Sequence, residues 1–257
     1  MTVTFALTRH FYESYRDLYR LIELAGYPTC YVDEMQLDDP SKCYIFLMQC
    51  GETEKGWPGA KARIIHWMLE WFDYAPIPGV AERWSADAWH AERLGVRYVP
   101  VGSDARLAEG SDPKFAREYD VAFLAYMIPR RTDVLSGLAQ RGVKVSPTGA
   151  WGDDRHQILK RSTAYLHVHQ WDDKPAIPAL RMVVAAAYRL PVISETPARR
   201  GIFHDGYLLH SDHAHIAEFA YMWAVKERGP FLQGFGDSLH RLLCHDLPFR
   251  KSIEVAL

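Results

Sequence analysis

The sequence predicts an α/β protein of two small domains, and three observations carry that reading. Short β-rich apolar runs alternate with helix-period segments along most of the 257 residues, a pattern that favours parallel sheets flanked by helices. The alternation pauses after Gly102, passes through a charged stretch, and restarts at Tyr119. A composition of 48% hydrophobic and 24% charged residues supplies one large core or two small ones.

The elements follow in order. Val3 to Leu7 reads as a strand, and Tyr12, Tyr15, Leu18, Tyr19, Ile22 and Leu24 then recur at helical spacing up to Gly26. Thr29 to Val32, Tyr44 to Gln49 and Arg63 to Trp71 read as further strands, separated by polar or Gly/Pro-bearing connections. A short helix carrying Trp84 and Trp89 leads to a β run from Val96 to Val101. Asp104 to Glu118 is charged and poor in aromatics, which suits a linker or surface loop. Beyond it, Tyr119 to Tyr126, Val143 to Ser146, Ala164 to Val168, Pro191 to Glu195 and Gly206 to His210 are candidate strands. Helices are expected around Val134 to Ala139, Asp153 to Arg161, Ala179 to Tyr188 and His213 to Arg228, with a last helix from Gly236 before a frayed end.

Composition excludes more than it names. A formal net charge of -2 gives no global field to draw the chain onto a polyanion. Cys30, Cys43, Cys50 and Cys244 lack CxxC spacing and read as reduced residues. No leader-like segment opens the sequence and no window approaches the roughly 20 apolar residues of a membrane span, so a cytoplasmic location is expected.

From Val143 to Glu195 the chain reads GVKVSPTGAWGDD, then an Ile/Leu-bearing helix, then YLHVHQW and LRMVVAAAYRLPVISE. With the Arg130-Arg131 doublet, the Trp151-Gly152 turn, the His167-Val168-His169 strand end, and Arg181 followed by Ser194-Glu195, this resembles GT-B-type glycosyltransferases of the group 1, spore-maturation glycosyltransferase-like kind from bacteria or phages. The upstream segment Trp84 to Gly102 is similar to the one joining the two domains of such proteins. The resemblance spans Ile64 to Trp223, and the residues before it match only in the order of strands and helices. His167 stands where many relatives carry Asn.

The resemblance implies two facing Rossmann-like domains (GT-B-like) with a cleft between them: an acceptor-side domain over residues 1–100, a nucleotide-sugar donor domain over 101–235, and a C-terminal helix or tail over 236–257, with a return of that helix to the first domain left open. It implies transfer of a sugar from a nucleotide-diphosphate sugar, expected to be a UDP-sugar, to an acceptor hydroxyl. Phage enzymes of similar build decorate modified DNA bases, which leaves a modified base in DNA open as acceptor, and the host cytoplasm as location if the chain is phage-encoded.

A departing diphosphate must have its charge neutralised, and arginines or helix N-termini can do this without a metal. The chain has no Asp-x-Asp, so a metal-independent reaction is expected, with Arg130, Arg131 and Arg181 as candidate phosphate ligands. The competing reading pairs these arginines with surface carboxylates. Glu195 ends a β run at the sheet edge where ligands bind, and by resemblance it and Ser194 hold ribose or sugar hydroxyls. Thr148 and Gly149 lie in a turn that allows close backbone approach, and Trp151 offers a face for a base or a place in the core. His167 and His169 point to one face of a strand, toward sugar or phosphate. The same pair, with Asp172 and Asp173 behind it, also fits zinc in a metal-dependent hydrolase, although neither HExxH nor HxHxDH is present. A non-catalytic nucleotide-binding module is the other alternative. His10, directly after the first strand, and Glu70, late in another, are the candidate catalytic bases; helix capping and ion pairing are their structural alternatives.

Overall fold

The computed structural model describes residues 2–9, 15–47, 51–70, 75–108, 117–173, 175–203 and 206–257. The first sheet holds six strands, β1 (Thr2–Leu7), β2 (Thr29–Tyr31), β3 (Lys42–Phe46), β4 (Arg63–Met68), β5 (Glu82–Ser85) and β6 (Arg97–Tyr98). Their spatial order is β2-β1-β3-β4-β5-β6 and every pairing is parallel. Register stacks Phe5 beside Ile45, Ile45 beside Ile65 and Trp67 beside Trp84. These large side chains form the core face, and Leu18, Leu21 and Ile22 of α1 (Arg16–Leu24) close over it at helical spacing.

The second sheet holds β7 (Tyr119–Ala122), β8 (Ser162–His167), β9 (Val192–Glu195) and β10 (Leu208–Ser211), again all parallel, in the order β10-β9-β8-β7. The run expected as a strand at Val143 to Ser146 contributes a single bridge, Val121 to Val145. Its ladder is cut short because the Asp120 carboxylate accepts from Lys144 N, the Ser146 hydroxyl accepts from Phe123 N, and Pro147 follows with no donor. The chain thus runs outward from β7 on one side and returns at β8 on the other, leaving a crevice between β7 and β8 at their carboxyl ends. The helices α4 (Pro129–Gln140), α5 (Gly152–Lys160), α6 (Ala179–Ala187), α7 (Ile216–Tyr221) and α8 (Pro230–His240) belong to this half; the earlier α2 (Gly51–Glu54) and α3 (Ala88–Leu94) belong to the first.

The two sheets present their carboxyl edges to each other. Asp87, just after β5, accepts from Ile177 N in the loop after β8, at 3.0 Å. Asp17, at the start of α1, pairs with Arg155 at the start of α5. Between the domains runs α6, whose sequence ALRMVVAAA is apolar on every side except at Arg181. Ala179, Val183 and Ala187 pack into the first core, while Met182, Ala185 and Ala186 pack into the second.

Two expectations are corrected here. Part of the supposed linker is core: Leu107 and Ala108, in a 3-10 turn over Ala105–Ala108, are buried against α1 and α6 because the two apolar side chains fall together on the inner side of that turn. The end of the chain is also not a frayed tail. A wider-wound turn continues α8 through Arg241–Asp246, and α9 (Phe249–Ala256) then docks on the first domain. Phe249, Ile253 and Ala256 recur at one helix face, bury fully, and set the Phe249 ring 5.9 Å from Phe5 and 6.0 Å from Trp67. Where α9 returns, a side chain at Gly102 would collide with the carbonyl of Leu247, so only glycine lets the two backbones meet.

Candidate functional site

The carboxyl edge of the second sheet gathers several of the candidate residues. Glu195, the last residue of β9, is 2% exposed, which places a carboxylate where only full hydrogen bonding makes burial tolerable. Its Oε2 accepts from His169 N at 2.6 Å, and its Oε1 accepts from Arg130 and lies 3.2 Å from His213 Nδ1. Ser194 is buried and turns its hydroxyl to the Glu195 carbonyl, at 2.7 Å. Arg130 follows Pro129 at the start of α4 and bridges Glu195 to the exposed Asp172. Arg131 is itself buried and donates to the carbonyls of Val168, at 3.2 Å, and Tyr126, at 2.9 Å. Burial, reinforced by the nearby Arg181, lowers its pKa to about 10, so it remains a cation at neutral pH.

Tyr165, His167 and His169 alternate along β8 and its extension and share a face. His167 Nε2 lies 3.3 Å from His169 Nδ1, and His169 Nε2 lies 3.3 Å from the Thr196 carbonyl. Burial is the main cause holding both imidazoles below the ordinary range; for His167 the charges of His169, Arg181 and Arg131 add to it. Both rings are therefore neutral near pH 7. They do not complete the zinc site that their spacing allows, since Asp172 is taken by Arg130. Among the described residues no group of three or more His, Cys, Asp or Glu is arranged to hold a metal.

Trp151 is half-buried at the N-terminal cap of α5, its ring 5.4 Å from that of Tyr126, with the Arg155 guanidinium 5.8 Å from its centroid. Tyr126 is 64% exposed, so one aromatic face of the crevice mouth is open to solvent. Thr148 and Gly149 are exposed in the preceding loop, where Gly149 adopts φ 73°. They line the approach to Trp151 and stand apart from the Glu195 cluster.

Across the crevice, Glu70 follows the end of β4. Burial pushes its carboxyl upward, while Arg181 of α6 and a hydrogen bond from Tyr15 pull the other way. The first domain thereby sets a carboxyl group against the one charged residue of α6. His10 lies outside the described residues. Its neighbour Arg9 pairs with Asp33 at 3.0 Å and stacks over Tyr31.

Several residues of this region escape sequence reasoning. Asp17 is buried, its Oδ2 held by Arg155 and its Oδ1 2.8 Å from His156 Nε2; His156 Nδ1 in turn lies 2.5 Å from the Tyr188 hydroxyl. This network ties α1 of one domain to α5 and the end of α6 of the other. Arg155 lies 138 positions from Asp17, and no local spacing joins them. A weak signal did exist, because Asp17 adjoins the buried Leu18 and shares the inner side of α1. His213, the further partner of Glu195, follows β10 in a turn with no motif around it.

No protein-family model matches the chain. A segment of 94 residues is 29% identical to uncharacterized protein L140 of Acanthamoeba polyphaga mimivirus, covering 36% of this chain and 29% of that protein. Among solved structures, AviGT4, a glycosyltransferase involved in avilamycin A biosynthesis, superposes with a TM-score of 0.64 at 10% identity, covering 100% of this chain and 96% of its own. The DNA-modifying enzyme β-glucosyltransferase, solved with and without its substrate uridine diphosphoglucose, superposes with a TM-score of 0.60 at 11% identity, covering 100% and 99%. TarM gives a TM-score of 0.55 at 9% identity; 85% of this chain matches, spanning 54% of TarM. At these identities the likeness is one of fold, and it agrees with the paired parallel sheets, their facing carboxyl edges and the crevice between them: the chain has the GT-B fold found in these glycosyltransferases.

Proposed function

We propose that this chain is a glycosyltransferase that moves a sugar from a nucleotide-diphosphate sugar, a UDP-sugar in the first instance, to an acceptor hydroxyl. The observation that carries the reading is the Arg130, Glu195, His169 and His213 cluster, set at the strand ends of one domain of a GT-B fold, with Glu70 of the other domain acting on Arg181. Residues 101–235 form the donor side and residues 1–100 the acceptor side. Arg130 and Arg181 bind the diphosphate, and Arg131 adds a fixed positive charge beneath them. Glu195, aligned by Ser194 and His169, receives hydroxyl groups of the donor. Tyr126 and Trp151 cover the base, with Thr148 and Gly149 in the loop beside it. Glu70 takes the acceptor proton, since a carboxyl raised by burial is a stronger base than an ordinary one. The cationic wall supplies the charge stabilisation that a metal provides elsewhere, and the reaction proceeds without one.

Thermal unfolding against a panel of nucleoside diphosphates and nucleotide sugars tests this reading. A ligand at 100 times its Kd stabilises by about 2.7 kcal/mol. Stabilisation by UDP or a UDP-sugar, lost in Arg181→Ala, is the expected result, together with release of UDP from the sugar donor. No stabilisation by any nucleotide would overturn the proposal, and binding without donor consumption would reduce the protein to a binding module.

A further inference from the structure

The β8 face holds a polar group that the protein itself leaves unsatisfied. Tyr165 is 1% exposed, and its hydroxyl donates to no acceptor among the described residues. The charged groups acting on it are the guanidinium groups of Arg181, Arg131 and Arg155, from three different helices, with Arg181 near enough to point a donor at the phenol oxygen. Guanidinium groups donate and never accept, so the hydroxyl proton finds no acceptor among them. The carboxylates that act on these arginines are already engaged: Asp17 holds Arg155 and His156, Glu70 receives Tyr15, and Glu195 holds Arg130 and His169 N. Arg155 Nε is likewise buried without a partner among the described residues. Burial raises the Tyr165 phenol, which keeps its proton at neutral pH.

A buried donor without an acceptor is costly and calls for an explanation. Three cations and a phenol O–H together want one kind of partner, an oxyanion rich in lone pairs. We propose that Tyr165 is a further donor-binding residue, whose hydroxyl hydrogen-bonds a phosphate oxygen of the nucleotide diphosphate. The assignment rests on the donor reading above, and it makes this wall recognise the diphosphate rather than the base or the sugar.

The test measures binding of inorganic pyrophosphate, UDP and uridine by calorimetry, with thermal unfolding of the ligand-free protein alongside, for the wild type and Tyr165→Phe. Because the hydroxyl proton has no acceptor in the free protein, Tyr165→Phe is expected to melt at the same temperature or higher. It is expected to weaken pyrophosphate and UDP by about tenfold, as loss of a hydrogen bond to a charged group does, and to leave uridine unchanged. Unchanged UDP and pyrophosphate affinity in Tyr165→Phe sinks the assignment while leaving the donor reading standing. A clear drop in melting temperature sinks it too, since it would mean the hydroxyl serves the fold. Tyr165-dependent pyrophosphate binding without consumption of any nucleotide sugar keeps the anion site and removes the transferase. Failure of the wild type to bind either phosphate compound overturns both.

Discussion

The two domains cover their sheets in different ways. The second is self-sufficient: one face of its sheet packs on α4 and α7, the other on α5, α6 and α8, and two apolar clusters fill the space between. The first has six strands but draws much of its cover from the far half of the chain, taking Ala179, Val183 and Ala187 from α6 and Phe249, Ile253 and Ala256 from α9. A strand-based division into domains therefore misplaces the dependence. The second sheet is covered from residues that follow it closely in sequence, up to Leu243, whereas the first sheet is completed by helices from the far half of the chain.

That asymmetry can be broken from a distance. Phe249→Ala removes a fully buried ring lying against Phe5 and Trp67, and a loss of about 3–5 kcal/mol in denaturant unfolding is expected. Hydrogen exchange should show the loss concentrated in β1 and β4, with β8 and β9 still protected. Equal loss in both sheets would mean that the domains stand or fall as one unit. Asp17→Ala probes the polar tie between them and leaves Arg155 buried without its carboxylate; about 3 kcal/mol is expected. A double-mutant cycle with Arg155→Ala should return a coupling of about 1–3 kcal/mol, and a value near zero would mean that α6, α9 and the Asp87 contact hold the domains together without this tie.

The smallest effect concerns acid. Burial, with Arg83 and His90 adding to it, depresses His66 of the first domain to about 3, and its ring stacks on Phe46 at 4.4 Å. The folded state then refuses a proton that the unfolded chain takes below its ordinary pKa of 6.5. Stability is complete above that value and falls as pH drops from there toward 3, by at most about 1.4 kcal/mol per pH unit for this group. Asp87, raised by burial to about 6, acts in the opposite sense, because protonation between pH 6 and 4 favours the fold. Urea unfolding at pH 7 and pH 5 should show a smaller acid loss in His66→Phe than in the wild type. The loss that remains belongs to groups such as His167 in the second domain.

Most strands were legible because an apolar run between turn residues has few other fates; β1, β4, β8 and β9 lie where the sequence puts them, with ends shifted by a few residues. The GT-B architecture followed from the order of motifs around Arg130, Trp151, His167 and Ser194-Glu195. What escaped was set by long-range packing. Phe249, Ile253 and Ala256 carry a helical period, and a return of the last helix to the first domain is left open by the sequence; the surface that receives it, around Phe5 and Trp67, is set by packing alone. Val143 to Ser146 looks like a strand, but the Asp120 and Ser146 side chains capture backbone donors that a ladder would need. In the site, Glu195 and the paired histidines were visible as strand-end polar residues. The Asp17 network, His213 and the unsatisfied Tyr165 hydroxyl were not, because each is defined by a neighbour from elsewhere in the chain.

The double role of α6 bears on how this protein can be recombined. A graft that exchanges the second half for that of another GT-B protein, cut at the apparent boundary near Gly102, would strip the first sheet of the Ala179, Val183 and Ala187 stripe and of α9 together. The workable unit of exchange is a mosaic: new loops and strand ends of the second sheet set into a frame that keeps α6 and α9 native. Specificity is then transplanted as a set of loops, and the modularity of this fold lies at its crevice rather than between its halves.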